Sequence, residues 1–202
     1  MIAVITGDII NSRAVNPEIW QPKLKDYLAE IVKDPQKWEI YRGDSFQVEV
    51  EVAHALETVL CIKALIKSSN LIDVRMSVGI GEKDSEEKKI TESFGTAHVN
   101  SGESFERLKN NTLLLKSPNV TFDEYFNPIL RLVSFIADSW KPVTSETLFY
   151  ALTNKGLKQK EMAKRLEKDS TTINKALKRG AYDELMLTLD LFSKKAKECL
   201  NC

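Results

Sequence analysis

The chain has 202 residues, 43% apolar and 29% charged, with 29 Lys+Arg against 29 Asp+Glu and three cysteines. These are the proportions of a globular protein of one large or two small domains. No run reaches the ~18 apolar residues of a membrane span, and an odd number of cysteines excludes a disulfide framework and points to a reducing cytoplasm.

The zero net charge hides an asymmetry. Residues 1–128 hold 15 Lys+Arg against 20 Asp+Glu, a balance of −5, and residues 129–202 hold 14 against 9, a balance of +5. Lys155 to Arg179 is denser still, with nine basic and three acidic residues. An acidic half joined to a basic half predicts two domains, with nucleic acid as a partner of the second. The sequence starts directly on a strand-like run with no basic leader, so no signal peptide is expected. There is no internal repeat and no low-complexity tract.

In chain order, Ile2 to Thr6 reads as a buried strand ending in Gly7-Asp8, and Ile9 to Arg13 as a loop. Pro17 opens a helix to about Lys33, with Ile19, Leu24, Tyr27, Leu28 and Ile31 on its inner stripe. Asp34-Pro35 stops it. Trp38 to Arg42 and Phe46 to Val50 alternate with period 2 around Gly43-Asp44-Ser45, which predicts a β-hairpin with Asp44 at its exposed tip. From Val52 to Ser68 the period becomes 3.6, and Ile72 to Gly81 alternates again. Lys83 to Lys89 is a charged loop, Gly95 to Lys109 a helix and Thr112 to Lys116 a last strand. This β-α-β-β-α-β order, then α-β, is that of a split βαβ arrangement with helices packed on one face of the sheet.

Ser117-Pro118-Asn119 breaks the chain. Asp123 to Trp140 is a mainly apolar helix, suited to linking the halves or to a dimer contact. After Lys141-Pro142 the chain reads as all-helical, with helices over Ser145–Thr153, Lys158–Glu167, Ser170–Lys178 and Tyr182–Cys199. The expected fold class is therefore α+β: a ferredoxin-like domain over 1–117, a linker helix over 118–140 and an all-α domain over 141–202.

Two Gly-Asp pairs, one ending a strand and one in a hairpin turn, offer Asp8 and Asp44 to one divalent ion. Carboxylate oxygens suit Mg²⁺ or Mn²⁺. Either pair alone is equally good turn chemistry. With Ile5-Thr6-Gly7-Asp8-Ile9-Ile10-Asn11-Ser12-Arg13, then Tyr41-Arg42-Gly43-Asp44-Ser45-Phe46, then Arg75 to Gly81, the first half resembles the class III nucleotide cyclase and GGDEF palm. With a C-terminal helix-turn-helix, the whole chain resembles the SatD family. The resemblance implies Asp8 and Asp44 as metal ligands. It also implies phosphate contacts from the loop Ile9, Ile10, Asn11 and Ser12, with Arg13 and Arg42 supplying positive charge. Three positions depart from the cyclase pattern. Ile40 stands where cyclases carry a base-reading lysine. Asn100 is followed four residues on by Ser104, with Arg107 the nearest arginine. The hairpin reads Arg-Gly-Asp-Ser-Phe. These departures predict a metal–nucleotide site that binds without turnover.

Gln159 to Leu177 resembles a helix-turn-helix of the phage-repressor kind. Ala163 is small where two helices cross, Leu166, Ile173 and Leu177 form a shared core, and Ser170 is the expected N-cap. Thr171, Thr172, Asn174, Lys175 and Lys178 would face outward, toward base edges and phosphates of DNA. Glu167 stands where that family has a turn glycine. The alternative is a helical bundle with solvated lysines. His54 and His98 lack a metal-ligand pattern, Cys61 reads as core, and Cys199 with Cys202 has no second pair to make a zinc site.

These readings combine into a cytoplasmic, homodimeric regulator that binds DNA and a nucleoside triphosphate. An active nucleotidyl cyclase or nucleotidyltransferase, and a non-catalytic dimerisation scaffold, are the alternatives.

Overall fold

The computed structural model describes residues 1–84 and 89–200. Part of the charged stretch from Lys83 to Lys89 therefore lies outside the described residues, as does Cys202. The elements are β1 (Ile2–Ile10), α1 (Pro17–Ile31), β2 (Trp38–Tyr41), β3 (Ser45–Val50), α2 (Ala55–Lys67), β4 (Asp73–Gly81), α3 (Thr96–Glu106) and β5 (Leu113–Lys116). They continue with α4 (Val120–Asp138), α5 (Pro142–Thr153), α6 (Gln159–Arg165), α7 (Ser170–Arg179) and α8 (Tyr182–Leu200). The fold is mixed α/β, with a five-stranded mixed sheet in the order β2-β3-β1-β4-β5.

β1 is the central strand, antiparallel to both β3 and β4, while β5 runs parallel to β4. It does not stop at Thr6. Ile9 pairs with Val74 and Ile10 with Asp73, which carries the ladder two residues past Asp8. Both are β-branched, and Ile9 is buried, so this stretch suits a strand better than a loop.

Alternation along the strands makes two unlike faces. One carries Ala3, Ile5 and Ile9 with Phe46, Val48, Val74, Met76, Val78 and Ile80, all buried. It packs in one core with Trp20, Leu24, Tyr27 and Leu28 of α1 and with α2. The inner stripe of α1 therefore runs through Trp20, whereas Ile19 is 50% exposed. The other face is polar, with Thr6 and Asp8 paired to Gln47 and Ser45 on one side and to Ser77 and Arg75 on the other.

Helices were expected on one face only, and α3 lies on the second. The Ser101 and Thr6 hydroxyls are 2.7 Å apart, and Ser77 Oγ donates to the Ser101 carbonyl at 2.8 Å. Gly79 permits this approach, since a Cβ there would stand 2.1 Å from the Ser101 nitrogen.

α2 is buried on all sides, from Ala55 through Ile66 apart from Glu57. A helix apolar all round needs partners all round. It finds them in the sheet, in α1 and in α5. Consequently one apolar core runs from Ala3 to Leu200.

α4 covers the free edge of β5. Its Asn127 side chain accepts from the Leu115 N–H at 2.9 Å and donates to the Leu115 carbonyl at 3.0 Å, closing an edge that would otherwise template pairing. Leu132 and Phe135, two of the apolar residues of this helix, are exposed. No helix among the described residues is long and apolar enough to cross a membrane.

Candidate functional sites

Asp8 lies within β1, between Ser45 of β3 and Arg75 of β4. Both oxygens of its carboxylate are engaged. Ser45 Oγ donates to Oδ1 at 3.1 Å, and Arg75 Nε and Nη2 donate to Oδ2 at 3.3 and 3.1 Å. The other side of the Arg75 guanidinium meets the Phe105 ring of α3, 5.1 Å from its centroid. Gly7, which precedes Asp8, has a packing reason of its own: a Cβ there would stand 2.2 Å from Phe46.

Asp44 closes the hairpin. Arg42 and Gly43 carry the turn, with φ of 53° and 90°; such angles suit the glycine and strain the arginine. Asp44 itself is half-buried. Its carbonyl accepts the Ile9 N–H at 3.0 Å, and its carboxylate accepts from Ser12 Oγ at 2.8 Å. The turn is thereby fastened to the end of β1. The expected phosphate loop divides accordingly. Ile9 and Ile10 belong to the sheet ladder, and the Ile9 N–H is spent on Asp44. Asn11 is exposed with φ of 58°, and Ser12 and Arg13 lie in a 3-10 turn. Arg13 and Arg42 are both exposed.

The groups that would offer oxygen to a divalent ion are the Asp8 carboxylate beside the Ser45 hydroxyl and the Asp44 carboxylate beside the Ser12 hydroxyl. That oxygen set fits a hard ion that keeps several waters. The fit carries a cost, because Arg75 already supplies positive charge to Asp8, and an incoming ion competes with it. Among the described residues no three His, Cys, Asp or Glu side chains gather into a metal-binding group. Of the motif departures, Asn100 is buried and donates to the Ile80 carbonyl at 2.8 Å, which fixes α3 to β4. Arg107 is exposed at the end of α3.

The α6–α7 pair is built on a tight turn. Glu167 takes φ of 51°, and the Lys168 N–H returns to the Ala163 carbonyl at 2.9 Å, closing the end of α6. Glutamate thus occupies the left-handed position that glycine fills at lower strain. Asp169, rather than Ser170, caps α7: Oδ1 accepts the Thr172 N–H at 2.8 Å and Oδ2 the Thr172 hydroxyl at 2.6 Å. The Thr172 hydroxyl bond holds the Asp169 carboxyl below the usual carboxylate range. Thr172 is therefore half-buried and engaged, not free on the outward face. Asp169 holds the extended backbone of the residue before the helix, and its carboxylate also meets the positive end of the helix dipole.

Ile173, Ala176 and Leu177 form the buried side of α7. Gly180 ends it under Leu148 of α5, whose Cδ1 would stand 2.5 Å from a Cβ there. Thr171, Asn174, Lys175 and Lys178 are exposed, as expected, and Arg179 joins them. None of Lys175, Lys178 and Arg179 forms an ion pair among the described residues.

Sequence reasoning missed a charged cluster. Lys63 is buried, and its ammonium lies 2.7 Å from Asp73 and 2.6 Å from Asp138. Lys67 reaches Asp73 at 2.9 Å and the Asp138 carbonyl at 2.9 Å. The cluster ties α2, β4 and α4 together. Its sequence signal was a lone lysine inside the apolar run from Val59 to Ile66.

A cleft of about 1080 Å³ lies between the sheet half and the helical half, lined by Tyr27, Glu57, Cys61 and Lys155 among others. The Glu57–Lys155 ion pair spans it at 2.6 Å. Burial pushes the Cys61 thiol up to about 12, which leaves it protonated and unreactive at neutral pH. Neither Asp8 nor Asp44 lines this cleft. Two smaller clefts, of about 530 and 500 Å³, flank α7.

Comparison with known proteins finds no family model, no curated protein and no solved structure that matches the chain.

Proposed function

We propose that the protein is a DNA-binding regulator in which α6 and α7 act as a helix-turn-helix and α7 enters the major groove. The observation that carries this reading is the two-sidedness of α7. Ile173, Ala176 and Leu177 anchor it, while Thr171, Asn174, Lys175 and Lys178 stand exposed and the two lysines have no ion-pair partner among the described residues. Charges left unpaired on one rigid helix suit phosphates and base edges. Selection from a randomised duplex pool tests it. The wild type is expected to enrich a motif, and Asn174→Ala to lose about 1–3 kcal/mol of discrimination at the base it reads. Enrichment unchanged by that substitution would sink the assignment of Asn174.

In the same reading the sheet half is a ferredoxin-like, palm-related domain that holds a nucleotide with Mg²⁺ or Mn²⁺ at Asp8 and Asp44. Support comes from the sheet order and from the bond between Ile9 and Asp44, which brings the hairpin turn to the end of β1. Nucleotidyl cyclase or nucleotidyltransferase activity is the second reading, and product formation from ATP or GTP separates the two. Melting with a panel of nucleoside triphosphates, with and without Mn²⁺, tests the site. Ligand at a hundred times its dissociation constant stabilises the native state by ~2.7 kcal/mol. That shift is expected in the wild type and lost in Asp44→Asn. A flat panel would leave the sheet half as a scaffold.

A further inference from the structure

One of the clefts beside α7 has a chemistry unlike the others. It lies between the start of α5 and one side of α7, and its lining includes Lys141, Thr144, Thr172, Lys175 and Arg179. No carboxylate lines it. The cleft on the opposite side of α7 sets Asp183 and Glu184 beside Lys178, and the large cleft carries Glu30, Glu51 and Glu57 among its lysines. Lys141, Lys175 and Arg179 form no ion pair among the described residues.

Two further features favour an anion. α5 starts with no side-chain cap, so the positive end of a twelve-residue helix opens beside Lys141. Trp140, also in the lining, is 3% exposed, and its indole N–H has no acceptor. Thr172, Lys175 and Arg179 are spaced three and four residues apart, so they share one side of α7. Thr171, Asn174 and Lys178 occupy the adjoining side.

We propose that this notch binds a phosphate group, and that its occupant is a backbone phosphodiester of duplex DNA. The inference rests on the DNA-binding reading above and divides α7 by task. Lys175 and Arg179, with Lys141, grip the backbone, while Thr171 and Asn174 face the bases. Arg179 and Lys141 lie outside the residues marked by the sequence, and they set register without reading sequence.

The test is fluorescence anisotropy with a random-sequence duplex over a series of salt concentrations. Wild type, Lys141→Ala, Arg179→Ala and Asn174→Ala are compared after circular dichroism has shown equal folding. Lys141→Ala and Arg179→Ala are each expected to weaken binding by about tenfold or less and to lower the salt slope by about one, equally for every duplex. Asn174→Ala is expected to leave the slope unchanged. Wild-type binding with both notch variants unaltered in affinity and slope would overturn the notch and leave the DNA reading standing. No wild-type binding at low salt would overturn both the DNA reading and the phosphodiester as occupant. Titration with inorganic phosphate then decides the remaining chemistry. Shifts at the Trp140 indole and the Val143 and Thr144 amides, lost in Arg179→Ala, would assign the notch to a free phosphate, and no shifts would overturn phosphate binding itself.

Discussion

The two ends of the molecule treat charge in opposite ways. On the sheet face, Asp8 is bonded to Arg75 and Ser45, and Asp44 to Ser12. Beneath, Lys63 is held between Asp73 and Asp138. On α7, Lys175, Lys178 and Arg179 meet no carboxylate in ion-pair range among the described residues. Charge satisfied inside a fold contributes to its shape and specificity. Charge left unsatisfied on a rigid surface is available to a partner. Asp8 and Lys63 thus take their counter-charges from the fold, while Lys175, Lys178 and Arg179 leave theirs to a partner.

Removing a cation from each region sharpens the difference. Lys63→Ala takes the buried ammonium from Asp73 and Asp138 while Lys67 still reaches Asp73, and the expected loss of stability is about 1–3 kcal/mol. Lys178→Ala is expected to change stability by less than about 0.5 kcal/mol, since its side chain is exposed and unpaired. Chemical denaturation of the two variants measures both. Equal losses would show that the two regions hold their charges alike.

An intermediate effect belongs to Asp169, whose carboxylate serves the fold and positions α7. Asp169→Ala removes both bonds to Thr172 and is expected to lower stability by less than Lys63→Ala and by more than Lys178→Ala. The same denaturation experiment reads it, and loss of DNA binding beyond the loss of folded protein would assign the cap a positioning role.

The smallest effect concerns His98, half-buried on α3 with neither ring nitrogen hydrogen-bonded. Burial holds its imidazole below the ordinary value; Glu49 and Asp84 oppose that shift and Lys83 adds to it. The unfolded chain takes up the proton at about 6.5, and the folded chain only at lower pH. Stability is therefore greatest above that value and declines as pH falls from it toward the folded value. His98→Gln should flatten this part of the pH profile, and an unchanged profile would show that His98 titrates alike in both states.

Particular residues explain how far the sequence was legible. The apolar face of β4 was readable because Val74, Met76, Val78 and Ile80 alternate with smaller or polar residues, and that alternation alone assigns a buried face. The end of β1 was not, because Ile9 and Ile10 precede turn-like Asn11 and Ser12. Only pairing with Val74 and Asp73 makes them a strand. The partner of Asp8 was hidden for a related reason. Period 2 says which side of a strand a residue faces, while the opposition of Asp8 to Arg75 depends on register across strands 67 residues apart. The second-face position of α3 left its trace in the small residues Ser77, Gly79 and Gly81, which are legible as a close approach only once a helix is known to lie there. On α7 the apolar spacing identified the buried side correctly. The cap was misplaced by one residue because both Asp169 and Ser170 are good N-caps, and only the backbone decides between them.

One measurement sets the two regions against each other directly. Duplex affinity is compared for Lys175→Glu with Lys178→Glu and for Arg13→Glu with Arg42→Glu, all four residues being exposed. Reversal on α7 is expected to reduce affinity by about tenfold or more. Reversal at the hairpin end of the sheet is expected to change it by less than about twofold, because screening confines exposed charges to roughly 10 Å. Affinity lost with the arginine pair and kept with the lysine pair would place the nucleic-acid surface on the sheet half and contradict the account.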